Sequence, residues 1–87
     1  MQIIESLESL GLEEKEAKVY VALLQLGRAS AYSVSEKSGL KKPTTYVILG
    51  ELVKKGLVSK APRMRKQLFV AKSPDEFFAL AEERLAV

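Results

Sequence analysis

A mainly α fold with a small β-hairpin is what three features of the 87-residue chain predict. Apolar residues recur at helical spacing up to about residue 55, the period shortens to two after Gly56, and single glycines punctuate the segments. The length suits one domain rather than two. With 47% hydrophobic and 29% charged residues the balance is that of a globular chain, not a disordered one. The absence of Cys and His removes disulfides, zinc fingers, thiolate metal sites, a Cys nucleophile and a Ser-His-Asp triad. No metal or cofactor is therefore expected. The longest uncharged stretch, residues 19–27, is far short of the roughly 20 apolar residues that span a bilayer. The N-terminus turns acidic where a signal peptide needs a basic start, so the expectation is a soluble, cytoplasmic protein without a membrane partner.

The elements follow in order. A short helical turn over residues 3–10 is closed by Gly11. The clearest helix runs over residues 13–26, with Glu13, Glu14 and Glu16 at its positive end and Gly27 after its last turn. Ala17, Tyr20, Val21 and Leu24 form one apolar stripe and Val19, Leu23 and Leu26 a second, so this helix is expected to be a central strut with neighbours on two sides. Ser30 then caps a short helix over residues 31–38 that Gly39 stops. Pro43, suited to a first helical position, opens the next helix, which runs to Lys55 before Gly56. Two helices joined by a tight turn containing Gly make a helix-turn-helix.

Beyond Gly56, residues 57–61 and 67–71 read as two strands flanking Pro62-Arg63-Met64-Arg65-Lys66, a hairpin with a basic tip. Ser73-Pro74-Asp75-Glu76 is a complete helix start, with Ser as N-cap and Glu closing a capping box. The last helix uses Phe77, Leu80, Ala81, Arg84 and Leu85 as its stripe and reaches Val87 in mid-pattern. It reads either as a short oligomerising helix or as the link to a further part of a longer chain. Helix, helix-turn-helix, basic hairpin and helix, in that order, is a winged helix-turn-helix with a flanking C-terminal helix. Residues 1–87 form one such domain: 2–40 the strut and first helix of the motif, 41–56 the recognition helix, 57–71 the wing and 73–87 the C-terminal helix.

Charge points to a partner by position rather than by total. Net charge is +3, yet residues 41–66 hold eight basic side chains against one acid, a balance of +7, and the remainder is −4. Such a gathering of like charges suits an anionic partner; the alternative is a solvated basic face. On a helical wheel Thr45, Ile48, Leu49, Leu52 and Val53 face the core, and Pro43, Thr44, Tyr46, Val47, Gly50 and Lys54 face outward. The outward set fits the major groove of duplex DNA, where Thr44 can bond a base edge, Val47 can meet a thymine methyl and Tyr46 can reach a phosphate or base. Lys41 and Lys42 precede the helix at the height of the phosphates. Gly50 costs about 1 kcal/mol in a helix interior, which fits either a close approach of the backbone to DNA, packing against another helix, or a tolerated weak spot. For Val47 the alternative is packing against the wing or a partner chain. Arg63, Arg65 and Lys66 can lie along phosphates or enter a minor groove, and Ser30 places a helix N-terminus near a phosphate as well as capping it. No catalytic constellation and no glycine-rich phosphate loop is present, so no enzyme is expected.

The segment Leu10-Gly11-Leu12-Glu13-Glu14-Lys15-Glu16-Ala17-Lys18-Val19-Tyr20-Val21-Ala22-Leu23-Leu24 resembles the opening of TrmB-type transcriptional regulators. Ser38-Gly39-Leu40, Thr45-Tyr46-Val47-Ile48-Leu49 and Lys55-Gly56-Leu57-Val58 are further matches. The resemblance covers residues 7–83 and implies a regulator of transcription that binds double-stranded DNA, usually as a dimer, with the helix beginning near Lys42 in the major groove. Family members carry a C-terminal effector domain, and no effector site is expected in this chain. A homodimer contact is expected at Ile4, Leu7, Phe77, Phe78 and Leu85. The rival readings are a winged-helix protein–protein interaction module and an RNA-binding winged helix. A Lys-rich face argues against the first, and scarce exposed aromatics against the second.

Overall fold

Helix α1 (Glu14–Leu26) starts at a satisfied donor: the backbone N–H of Glu13 donates to Glu16 Oε1 at 3.0 Å, which meets one of the groups a helix N-terminus leaves open. It ends at Gly27, whose N–H reaches back to the Leu23 carbonyl at 2.8 Å. Ala17, Val19, Tyr20, Ala22 and Leu23 along it are all buried, and Val21 and Leu24 pack partly buried against the core. This is the strut the sequence predicts, because burial on both stripes requires cover on two sides. Leu26 departs from its predicted stripe and is 38% exposed at the helix end.

The computed structural model describes residues 7–9, 11–61, 67–73 and 75. Leu7–Ser9 is helical ahead of α1. After α1 come β1 (Arg28–Ser30), α2 (Ala31–Ser38), α3 (Lys42–Lys54), β2 (Val58–Ala61) and β3 (Leu68–Ala71). Helix α3 begins one residue before the predicted Pro43, with Lys41 as its N-cap. Asp75 is helical, as the Ser73–Glu76 start signal predicts; the rest of the predicted C-terminal helix lies outside the described residues.

The predicted hairpin is part of a three-stranded sheet of order β1-β3-β2. Both pairings are antiparallel, with Ala29 opposite Phe69 and Lys60 also opposite Phe69 on the other side. The additional strand β1 was not predicted. Three residues are too few to show a period of two, and β1 exists because β3 presents it with an edge to pair. Ser30 both ends β1 and caps α2, its Oγ accepting from the Ser33 N–H at 3.3 Å.

The core lies between α1, α2, α3 and the sheet, with Leu7, Tyr20, Leu23, Val34, Leu49 and Leu52 almost wholly enclosed. Thr45 is also fully buried, and its hydroxyl is satisfied by donating to the Lys41 carbonyl at 2.9 Å. The Tyr20 hydroxyl donates to the Lys72 carbonyl at 2.6 Å, and the Lys72 N–H to the Leu57 carbonyl at 2.9 Å. These two bonds tie the base of the wing to the strut.

Candidate nucleic-acid interface

The turn between α2 and α3 aims the second helix outward. Gly39 adopts the left-handed conformation (φ 81°, ψ 7°), with its N–H on the Ser35 carbonyl at 3.0 Å. A residue with a Cβ resists that conformation. The chain leaves α2 sharply and re-enters a helix after only Leu40 and Lys41. Thr45, Ile48, Leu49 and Leu52 then lock α3 onto the core.

The opposite side of α3 is open. Val47 is 67% and Tyr46 52% exposed; Pro43, Glu51 and Lys54 are exposed, and Thr44 and Gly50 half-buried. Lys41 and Lys42 are exposed at the start of the helix. Six predicted residues of α3 thus share one face, as the wheel requires. Glu51 also sits on it, 3.8 Å from Lys54 Nζ. This exposed i,i+3 pair contributes little to stability but lowers the local charge. Ser30 stands at the N-terminus of α2, where its capping bond accounts for it.

One residue of this surface was not singled out from the sequence. Tyr32 on α2 is 53% exposed. Its hydroxyl donates to Glu36 Oε2 at 3.0 Å, and its ring lies 5.6 Å from Lys42 Nζ, within reach of a cation–π attraction. The hydrogen bond to the Glu36 carboxylate, with that negative charge beside it, holds the phenol above its ordinary range. The Tyr32–Glu36 spacing of four is legible in the sequence; the Lys42 contact needs the turn that folds α3 back across α2.

The two remaining groups of predicted residues fare differently. Arg63, Arg65 and Lys66 of the wing tip, and Ile4, Phe77, Phe78 and Leu85 of the expected dimer contact, lie outside the described residues. Leu7 needs correction: at 1% exposure it belongs to the chain's own core and leaves almost no surface for a second copy. Lys55, counted in the basic stretch, is also committed elsewhere, its Nζ bonded to Glu16 at 2.9 and 3.0 Å. Among the described residues no group of three or more Asp or Glu side chains could hold a metal, and no helix is long and apolar enough to cross a membrane.

A helix-turn-helix whose second helix is followed by an antiparallel wing, with a short third strand from before the motif, defines the winged helix-turn-helix class. Known proteins narrow this. The family model for the sugar-specific transcriptional regulator TrmB matches residues 7–75, and the chain belongs to that family. It is 35% identical over 57 residues to the HTH-type sugar sensing transcriptional regulator TrmBL1 of Pyrococcus furiosus, an alignment covering 66% of this chain and 17% of that protein. The fold is similar to that of TrmBL2, described as an archaeal chromatin protein with a novel mode of DNA binding, at a TM-score of 0.80 and 27% identity over 98% of this chain and 35% of that one. A MarR family regulator from Silicibacter pomeroyi, at a TM-score of 0.70 and 21% identity, covers 98% of this chain and 60% of its own and shares the fold. The chain spans about a fifth of the length of the curated relatives it matches.

Proposed function

We propose that this chain is the DNA-binding module of a transcriptional regulator and that α3 enters the major groove of duplex DNA. The observation that carries this reading is the two-sidedness of α3. Its inner face is closed against the core by Thr45, Ile48, Leu49 and Leu52, while Tyr46 and Val47 stand in solvent on the outer face between exposed lysines. A solvated helix face ordinarily carries charges at its centre. Here the cations stand at the ends, Lys41 as the N-cap, Lys42 in the first turn and Lys54 in the last. Family membership and the winged-helix fold support the same partner. In this reading Lys41, Lys42, Lys54 and the basic wing residues Arg63, Arg65 and Lys66 meet phosphates, and Thr44 and Tyr46 reach bases or sugars. Ser30 brings the N-terminus of α2 to the backbone. The module works in the cytoplasm as a homodimer, has no enzymatic activity, and leaves effector recognition to other parts of a regulator.

Fluorescence anisotropy on a generic labelled duplex across a salt series tests this, with single-stranded RNA in parallel. Each phosphate contact contributes a slope of about −0.9 in log K against log salt. The double variant Lys41→Ala/Lys42→Ala is expected to lower that slope by about two units per protomer, and Arg63→Ala/Arg65→Ala/Lys66→Ala by two to three. No duplex binding at about 50 mM salt, where such contacts are strong, overturns the reading, as does an equal or greater affinity for the RNA.

A further inference from the structure

Gly50 is the odd glycine of this chain. Gly11, Gly27, Gly39 and Gly56 all hold a positive φ, between 80° and 105°, where a side chain is strained. Gly50 does not: it sits in the interior of α3 with ordinary helical geometry. Alanine there would favour the helix by about 1 kcal/mol, which raises the question of what excludes a side chain. Packing within the chain does not, since a Cβ built on Gly50 meets nothing within 4 Å among the described residues. The space it would fill is on the outer face, one turn beyond Val47, the most exposed large apolar side chain described.

The charges around these two residues are arranged by distance. Lys42 and Lys54 stand at the two ends of α3, about 18 Å apart along its axis at 1.5 Å per residue. Residues 43–53 between them hold no Lys or Arg, so the positive charge of α3 is confined to its ends. Glu51, directly after Gly50 and one turn from Val47, holds its carboxylate 3.8 Å from Lys54 Nζ, so it adds no positive charge to the middle of the face. The centre of α3 thus offers an apolar knob and a missing side chain with no cation between them, a combination suited to base edges rather than to phosphates. Thymine, through its C5-methyl, is the one standard base with an apolar group in the major groove.

Resting on the reading of α3 as the groove-entering helix, we infer that Val47 and Gly50 form a thymine-reading notch. The Val47 side chain packs on a thymine methyl, and the bare Cα of Gly50 lets the helix come close enough for it to do so. Half-sites bound by this chain contain thymine at the position under Val47.

The test uses the 87-residue chain and a duplex enriched by it from a randomised library, synthesised once with thymine and once with uracil. Uracil keeps every hydrogen-bonding group and lacks only the methyl. Uracil is expected to weaken binding about fourfold per contacted thymine, the fold-change corresponding to ~0.8 kcal/mol for one buried methyl-sized group. Val47→Ala is expected to bind both duplexes alike. Gly50→Ala is expected to melt higher, by about 4–8 °C, and yet to bind the thymine duplex at least tenfold more weakly. The stability gain shows that the binding loss is not unfolding. Equal binding of the two wild-type duplexes, or discrimination that survives in Val47→Ala, overturns the methyl contact. A Gly50→Ala variant that binds as well as wild type, or melts lower, overturns the close approach. Failure to bind any duplex instead overturns the DNA reading itself and this inference with it.

Discussion

At the scale of single residues, Glu16 carries more of the architecture than its place in a run of acids suggests. One oxygen accepts the Glu13 N–H at 3.0 Å and both accept from Lys55 Nζ, so the carboxylate closes the start of α1 and holds the residue that ends α3. Burial alone would raise the pKa of this carboxyl. The Glu13 N–H and the Lys55 ammonium, by hydrogen bond and by charge, outweigh it and hold the group below its ordinary value of 4.5. The folded state therefore keeps this proton off more strongly than the unfolded one. The stabilisation is fully present above the ordinary value and is lost as pH falls through the lower folded value. Glu16→Gln keeps an oxygen for the cap and removes the charge. It should lower the unfolding free energy by about 1–3 kcal/mol at neutral pH and flatten the loss of stability below about pH 4.5, both read from urea melts across a pH series. A melt midpoint with unchanged acid dependence would show that the pair contributes nothing. The pair could not be read in advance, because nothing in either local sequence marks partners 39 residues apart.

Single elements were legible where the local signal is complete. Ser30 as a cap, Gly39 as a stop and the inner and outer faces of α3 follow from side-chain chemistry within a few residues, and the structure places them accordingly. Gly39→Ala tests the most constrained of these. Forcing a Cβ into the left-handed cap should cost about 1–2 kcal/mol, seen as a lower melting temperature. If α3 is thereby tilted on its base, duplex affinity should fall further than stability explains. Retained stability would mean that the turn relaxes without strain. Strand β1 and the Tyr32–Lys42 contact were not legible. The first is a short extended segment made a strand by its neighbour β3, the second a meeting of residues on two helices across the turn.

At the scale of the whole molecule, Leu7 leaves the candidate dimer surface and enters the core. The proposed homodimer contact falls to the residues before it and to the C-terminal segment carrying Phe77, Phe78 and Leu85. Analytical ultracentrifugation of the wild type and of Phe78→Glu checks it. The expected outcome is a concentration-dependent dimer that the substitution converts to monomer, with half-sites about one helical turn apart preferred by the dimer alone. A wild-type monomer at micromolar concentration both with and without DNA would sink the dimer.

By itself the sequence determined the order and type of the main elements, the core-facing positions of α3, the cationic character of residues 41–66 and the resemblance to TrmB regulators. These depend on periodicity, caps and charge, which are properties of neighbouring residues. Only the tertiary structure decided that Leu7 is core, that Lys55 is held by Glu16, that a third strand completes the sheet, and that no described neighbour packs against the outward-facing Gly50. Each of those depends on which distant surfaces meet, and folding buries apolar area wherever the packed elements close, without regard to separation along the chain.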